Sequence, residues 1–281
     1  MNIQALLFHF LLKRKCKHFK FSPRKRIELV EFHVSEHCNL NCVSCTHFSP
    51  LAEPEFLDYE TFERDIKQFA KVTKGNVVTM NILGGEPLLN KDLPQFLSVA
   101  RRYFPDTNIQ LVTNGILLNE QPDSFWQCCK ENGIIVSMTK YPLKLPYDLI
   151  EKKAIDMGVS IKFFSAEKDN SSWHYKLDES GQQDKIYNFM YCHESNNCTN
   201  VYNGKLFICP IASNMHHFNK YFHKNIPIVK EDFLDIYKVK NLKQILKFIA
   251  KPTPICAYCN IKARTYNNKW RISKKELSEW M

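Results

Sequence analysis

The chain has 281 residues, 44% hydrophobic and 13% aromatic, with a formal net charge of +10. That length allows one large α/β domain with a small appendage. It contains no run of 18 or more apolar residues, so no membrane-spanning helix is expected. Residues 1–26 hold eight Lys and Arg and no acid, so most of the excess charge sits in this arm. The body is therefore not a general nucleic-acid-binding surface, and no nucleic-acid partner is expected.

Within the arm, an apolar segment at residues 3–12 precedes the basic run, the reverse of a secretory signal. Two readings stand. One is a helix packed on the body with a solvated basic edge. The other is an amphipathic anchor, with Leu6, Leu7, Phe10 and Leu11 in a bilayer interface and the lysines on anionic lipid. The eleven cysteines are grouped by site rather than spread as a disulfide scaffold. This points to metal-bound thiolates in a reducing cytoplasm, with contact at the inner membrane face under the anchor reading.

Residues 27–34 read as a strand that leads into Cys38, Cys42 and Cys45, three thiols within eight residues. Thiolates are the soft ligands that iron–sulfur clusters and zinc both take. Three is one short of four, so either a distant residue closes the site or one position stays open. A zinc site closed by His37 or His47 is the alternative.

Asp58 caps a helix over 59–72, with Phe62, Ile66 and Phe69 at helical spacing, and Gly75 ends it. A strand over 76–83 delivers Gly84-Gly85-Glu86-Pro87. A helix over 94–104 and a strand over 108–113 deliver Asn114-Gly115. A helix over 122–132 precedes a strand over 134–138 that carries Ser137 near its end. A helix over 146–157 and a strand over 159–164 follow, and 186–191 suits a sixth strand. This alternation predicts an α/β fold of parallel strands, a partial (β/α)6 TIM-like barrel. Chemistry in such folds gathers at the carboxyl ends of the strands, where the unusual residues fall.

In these residues the chain resembles the radical S-adenosylmethionine (SAM) enzymes over residues 27–165. Cys38, Cys42 and Cys45 have the Cys-x3-Cys-x2-Cys spacing of that superfamily, and Gly84-Gly85-Glu86-Pro87 matches its glycine-rich motif. The resemblance implies that the three cysteines hold a 4Fe–4S cluster whose open iron binds SAM. It implies that Gly84, Gly85 and Glu86 receive the SAM ammonium, with Asn114 and Ser137 as ribose or carboxylate contacts. It also implies reductive cleavage of SAM to a 5′-deoxyadenosyl radical that takes hydrogen from substrate. The residue before the last cysteine is often aromatic in the family and is Ser44 here.

Residues 200–210 read as a hairpin around Asn203-Gly204, among Cys192, Cys198, Cys209 and the Cys256-x2-Cys259 pair. This set resembles a twitch-type extension, the shorter relative of SPASM domains, which holds a second, auxiliary 4Fe–4S cluster. Cys192, Cys209, Cys256 and Cys259 are the preferred ligands, with Cys198 as substitute; a structural zinc is the alternative. The expected division is an arm at 1–26, a radical SAM core at 27–190 and the auxiliary domain at 191–281. Cys128 and Cys129 read as core thiols, and His216, His217 and His223 as surface.

By analogy with the radical SAM dehydrogenase of aminocyclitol antibiotic biosynthesis, the substrate is a small polar molecule, a sugar or alcohol. The reaction would be dehydrogenation, epimerisation or dehydration, and the enzyme of oxidoreductase or lyase type. A peptide-modifying maturase and a non-catalytic iron–sulfur or zinc scaffold are the alternatives. Lys140, Tyr141 and Glu194 are the candidates for proton transfer, and a flavodoxin or ferredoxin would supply electrons.

Overall fold

The structure, a computed structural model, describes residues 20–164 and 171–281. The membrane-anchor reading rests on residues 3–12 and lies outside the described residues. At the described end of the arm, Lys20 turns inward: its Nζ donates to Phe189 O at 2.8 Å and to Ser195 Oγ at 2.9 Å. Burial holds its pKa below the ordinary lysine value. For this residue the expected solvated edge is corrected. No helix among the described residues is long and apolar enough to cross a membrane.

Strand β1 (Ile27–Ser35) sends successive side chains to opposite faces of the sheet. Phe32 packs against Phe62 and Phe69 of helix α1 (Tyr59–Thr73), with both ring pairs 5.7 Å apart. Glu31, His33 and Ser35 alternate to the opposite face and are buried there. The Asp58 carboxylate caps α1 by accepting from Thr61 N at 2.8 Å. The helix ends through Lys74 and Gly75, both at positive φ.

The expected units follow in order: β2 (Val77–Gly84), α2 (Leu93–Tyr103), β3 (Asn108–Thr113), α3 (Asp123–Glu131), β4 (Ile135–Thr139), α4 (Tyr147–Asp156) and β5 (Ile161–Phe164). Each of these strands runs parallel to the one before it. The expected sixth strand at 186–191 is instead helix α5 (Lys185–Tyr191). Asp184 caps it, its carboxylate accepting from Ile186 N and Tyr187 N. A short apolar run serves either state, and the cap decides.

The sixth parallel strand comes from the hairpin. Strand β7 (Thr199–Tyr202) pairs parallel with β1, placing Val30 opposite Thr199. Strand β8 (Lys205–Phe207) returns antiparallel to β7, and β9 (Phe233–Asp235) continues beside it. Among the described residues one eight-stranded sheet has the order β5-β4-β3-β2-β1-β7-β8-β9. The α/β, partial-barrel expectation holds, but the cysteine-bearing hairpin extends the same sheet. Helices α6 (Pro210–Phe222) and α7 (Leu242–Ile249) follow β8 and β9. A separate antiparallel pair, β6 (Ser171–His174) and β10 (Thr265–Lys269), joins the middle of the chain to its end.

Candidate active site

The loop after β1 turns its three cysteines into a cavity of about 520 Å³. Asn41 and Ser44 adopt positive φ, 54° and 53°, which folds the loop tightly between thiols. Gly85 N donates to Ser35 O at 2.9 Å, and Glu86 N to His37 O at 3.0 Å. A Cβ on Gly84 would lie 2.0 Å from Ser35 O, and one on Gly85 would lie 1.9 Å from His37 O. The paired glycines therefore serve, first, the close approach of the turn to the cysteine loop.

The far end of the chain closes over the same loop. Val43 N donates to Arg271 O at 3.0 Å and Ser273 N to Asn41 O at 2.7 Å, bracketing a Cys42–Ile272 bridge. Trp280 Nε1 donates to Cys45 O at 3.1 Å. Ser44 is buried, and its hydroxyl reaches Tyr175 O at 3.4 Å.

Burial pushes the Cys38 thiol up to about 11 and Cys42 up to about 12. Trp270 and Tyr141, beside Cys42, partly oppose that rise. Burial also raises Cys45, but the neighbouring His47 outweighs it and the thiol falls below its ordinary value. His47 Nε2 lies 3.6 Å from Glu31 Oε2, an ion-pair rather than a hydrogen-bond distance. Against burial, Cys45 and Glu31 together push His47 up to about 10. His37 packs on Phe56 instead, with ring centroids 5.2 Å apart.

Gly84, Gly85, Asn114, Tyr141 and Glu194 line the cavity with the three cysteines. Glu86, Ser137 and Lys140 do not. Glu86 is fully buried, and both its oxygens are engaged. It accepts from Thr113 Oγ1 at 2.6 Å, Asn114 N at 2.9 Å and Leu88 N at 3.1 Å. Its carboxylate ties the turn to the end of β3. Burial outweighs these bonds and raises its pKa to about 7. Asn114 Nδ2 donates to Asn39 Oδ1 at 2.7 Å and approaches Cys38 Sγ at 3.6 Å. Ser137 is buried within β4, and its hydroxyl has no hydrogen-bond partner. Lys140 Nζ lies 4.2 Å from the Phe163 ring centroid.

Cys192, Cys209, Cys256 and Cys259 line a second, small cavity, and Cys198 does not. Asn188 of α5 donates from Nδ2 to Cys256 O at 2.8 Å and also to Cys259 O, fixing the Cys-x2-Cys turn. Ser195 N donates to Cys192 Sγ at 3.4 Å. Cys198 is hydrogen-bonded to Glu194, and burial, with Glu31 and Glu194, raises its thiol. Tyr175 and Glu194 border both cavities, and Tyr175 Oη donates to Glu194 Oε1 at 2.8 Å.

Sequence reasoning missed Trp173, Tyr175, His193 and Trp270, which line the main cavity. Their signal was aromatic residues in segments without periodicity, which leaves their partners open. Tyr141 and Trp270 pack with ring centroids 5.3 Å apart beside Cys42, and Trp173 lies 5.0 Å from His193.

The donor set and the cavity size fit a thiolate-held cluster with an organic ligand beside it. The Radical SAM superfamily profile matches residues 32–138, from β1 through β4. Residues 32–138 thus match a radical SAM domain, and that family uses SAM and a 4Fe–4S cluster. The chain is 28% identical over 152 residues to the GTP 3′,8-cyclase of Campylobacter lari, covering 49% of this chain and 46% of that protein. It is 33% identical over 99 residues to the GTP 3′,8-cyclase of Aliarcobacter butzleri, covering 34% and 30%. The chain thus spans less than half the length of these curated relatives. A crystal structure of BtrN in complex with AdoMet and 2-DOIA matches with a TM-score of 0.54 and 18% identity. That match covers 84% of this chain and 94% of BtrN, and it is a likeness of fold.

Proposed function

We propose that this chain is a radical SAM enzyme that dehydrogenates a small polar substrate, a sugar or alcohol, with the help of an auxiliary iron–sulfur cluster. Cys38, Cys42 and Cys45 hold the first 4Fe–4S cluster. Cys192, Cys209, Cys256 and Cys259 hold the second, and Cys198 stays a free thiol. In this reading residues 27–190 form the core and 191–281 the auxiliary segment. When bound, cluster and SAM supply a carbon-centred radical that removes one hydrogen atom from the substrate carbon.

One observation carries the reading: Tyr175 and Glu194 form a wall common to the main cavity and the four-cysteine cavity. Oxidation of an alcohol removes two electrons and two protons. The abstracted hydrogen atom takes one of each, leaving a proton on the hydroxyl and an electron to dispose of. Glu194, held by Tyr175, accepts that proton. A cluster held by Cys192, Cys209, Cys256 and Cys259 would take up the remaining electron on the far side of the same wall, and an external donor such as a flavodoxin or ferredoxin would serve the first site. Trp173, Tyr175 and Trp270 give the cavity an aromatic lining, which suits a sugar ring. Tyr141 points its hydroxyl at Cys42 and, with its pKa raised by burial and that thiol, acts as a hydrogen-bond donor to sulfur.

Anaerobic reconstitution with iron and sulfide, then SAM and a strong reductant, tests this. About eight irons per chain and production of 5′-deoxyadenosine are expected. Deuterium from candidate sugars labelled on carbon should appear in that product. About four irons would remove the auxiliary cluster, and absence of SAM cleavage with a full cluster would remove the enzymatic reading.

A further inference from the structure

Glu36, His216 and His217 form a compact donor group separate from both cysteine cavities. Glu36 lies two residues before Cys38 and is 4% exposed. His216 and His217 are neighbours on α6, where consecutive side chains diverge by about 100° and normally point apart. Here their ring centroids are only 3.9 Å apart. Tyr202 of β7 stacks on His216 at 5.4 Å and 24°, holding that ring in place. His217 Nε2 lies 2.8 Å from Glu36 Oε2. One donor atom from each residue falls within 4.8 Å of the other two. The expectation that both histidines lie on the surface is corrected for His217, which is 6% exposed; His216 remains exposed.

A second observation points the same way. His33, on the buried face of β1, is 3% exposed, and neither ring nitrogen has a hydrogen-bond partner. It lies close enough to Glu36 for the two to be electrostatically coupled. A buried imidazole without a partner is costly and calls for a water or an ion nearby.

We propose that Glu36, His216 and His217 form a site for a divalent cation of the zinc class, with His33 as an adjacent spare donor. Two imidazoles and a carboxylate are a donor set that zinc takes, and three protein ligands leave a position for water. The exposed His216 provides the entry path. A plain His217–Glu36 ion pair would not require His216 to converge on it. The ion would join β1, just ahead of Cys38, to α6, which starts immediately after Cys209. It would brace both cysteine groups from one point.

The test uses the full chain with its cysteines occupied by iron and sulfide. The protein is equilibrated with zinc and desalted, and zinc per chain and the zinc K-edge absorption spectrum are measured. About one zinc per chain is expected, with a nitrogen/oxygen shell near about 2.0 Å. His216→Ala and Glu36→Gln should each weaken zinc binding at least about tenfold, while His223→Ala binds as the wild type. Iron content and far-UV circular dichroism report whether each variant folds. No retained zinc, a sulfur shell at about 2.3 Å, or unchanged binding in a folded His216→Ala would each overturn the proposal. None of these readouts depends on SAM cleavage.

Discussion

At the residue scale, Gly85 and Glu86 show how two neighbours do different work. A methyl group on Gly85 would meet His37 O at 1.9 Å, against backbone that cannot yield cheaply. Gly85→Ala should therefore displace the cysteine loop, cost about 1–3 kcal/mol, and lower iron loading of the three-cysteine site. Urea unfolding of the apo chain and iron counts after reconstitution check both effects. Glu86 holds its proton to about 7 in the folded chain, against an ordinary 4.5. Its contribution to stability is thus complete below pH 4.5 and lost as pH rises to about 7. The loss amounts to about 3 kcal/mol. Glu86→Gln should flatten that part of the profile. It should also cost about 1–3 kcal/mol throughout, because its amide would face the Asn114 N–H donor. Unfolding of both chains at several pH values measures the difference. The cysteine spacing and the glycine pair were legible in the sequence, since local order fixes them. The use of Glu86 was not, because its partners Thr113 and Asn114 arrive from another strand.

At the element scale, the end of the chain acts as a strap across the cysteine loop through residues 271–273 and Trp280. Ser273→Pro removes the N–H that donates to Asn41 O and should cost about 1–3 kcal/mol. Hydrogen exchange at Val43 N–H should rise in that variant, and equal protection would show the strap is not holding the loop. The helices and strands through β5 were readable from periodicity and caps. The α5 segment was misread because its seven residues are too few to show a period, and Asp184 is the feature that settles it. No pattern within β7 announces that it pairs with β1, because parallel partners are chosen by the packing of distant segments.

At the scale of the whole molecule, the sheet carries both cysteine groups on one framework, and the Tyr175–Glu194 wall stands between them. Cys256→Ser should reduce iron from about eight to about four per chain while SAM cleavage persists and substrate turnover falls. Cys198→Ser should leave the iron count unchanged. Iron assay, 5′-deoxyadenosine yield and substrate consumption, taken together, separate these outcomes. A Cys198→Ser chain that loses about four irons would reverse the choice between Cys192 and Cys198.

By itself the sequence determined the three-cysteine loop, the glycine turn, the alternating strands and helices, and the existence of a second cysteine group. These are set by spacing along the chain, which needs no knowledge of what meets what. Only the tertiary structure decided that Cys198 lies outside the second cavity and that Glu86 faces inward. It alone brought Trp270 and Tyr141 to Cys42, and Glu36 to two converging histidines. Such meetings depend on which buried faces pack together, and that is a property of the folded whole.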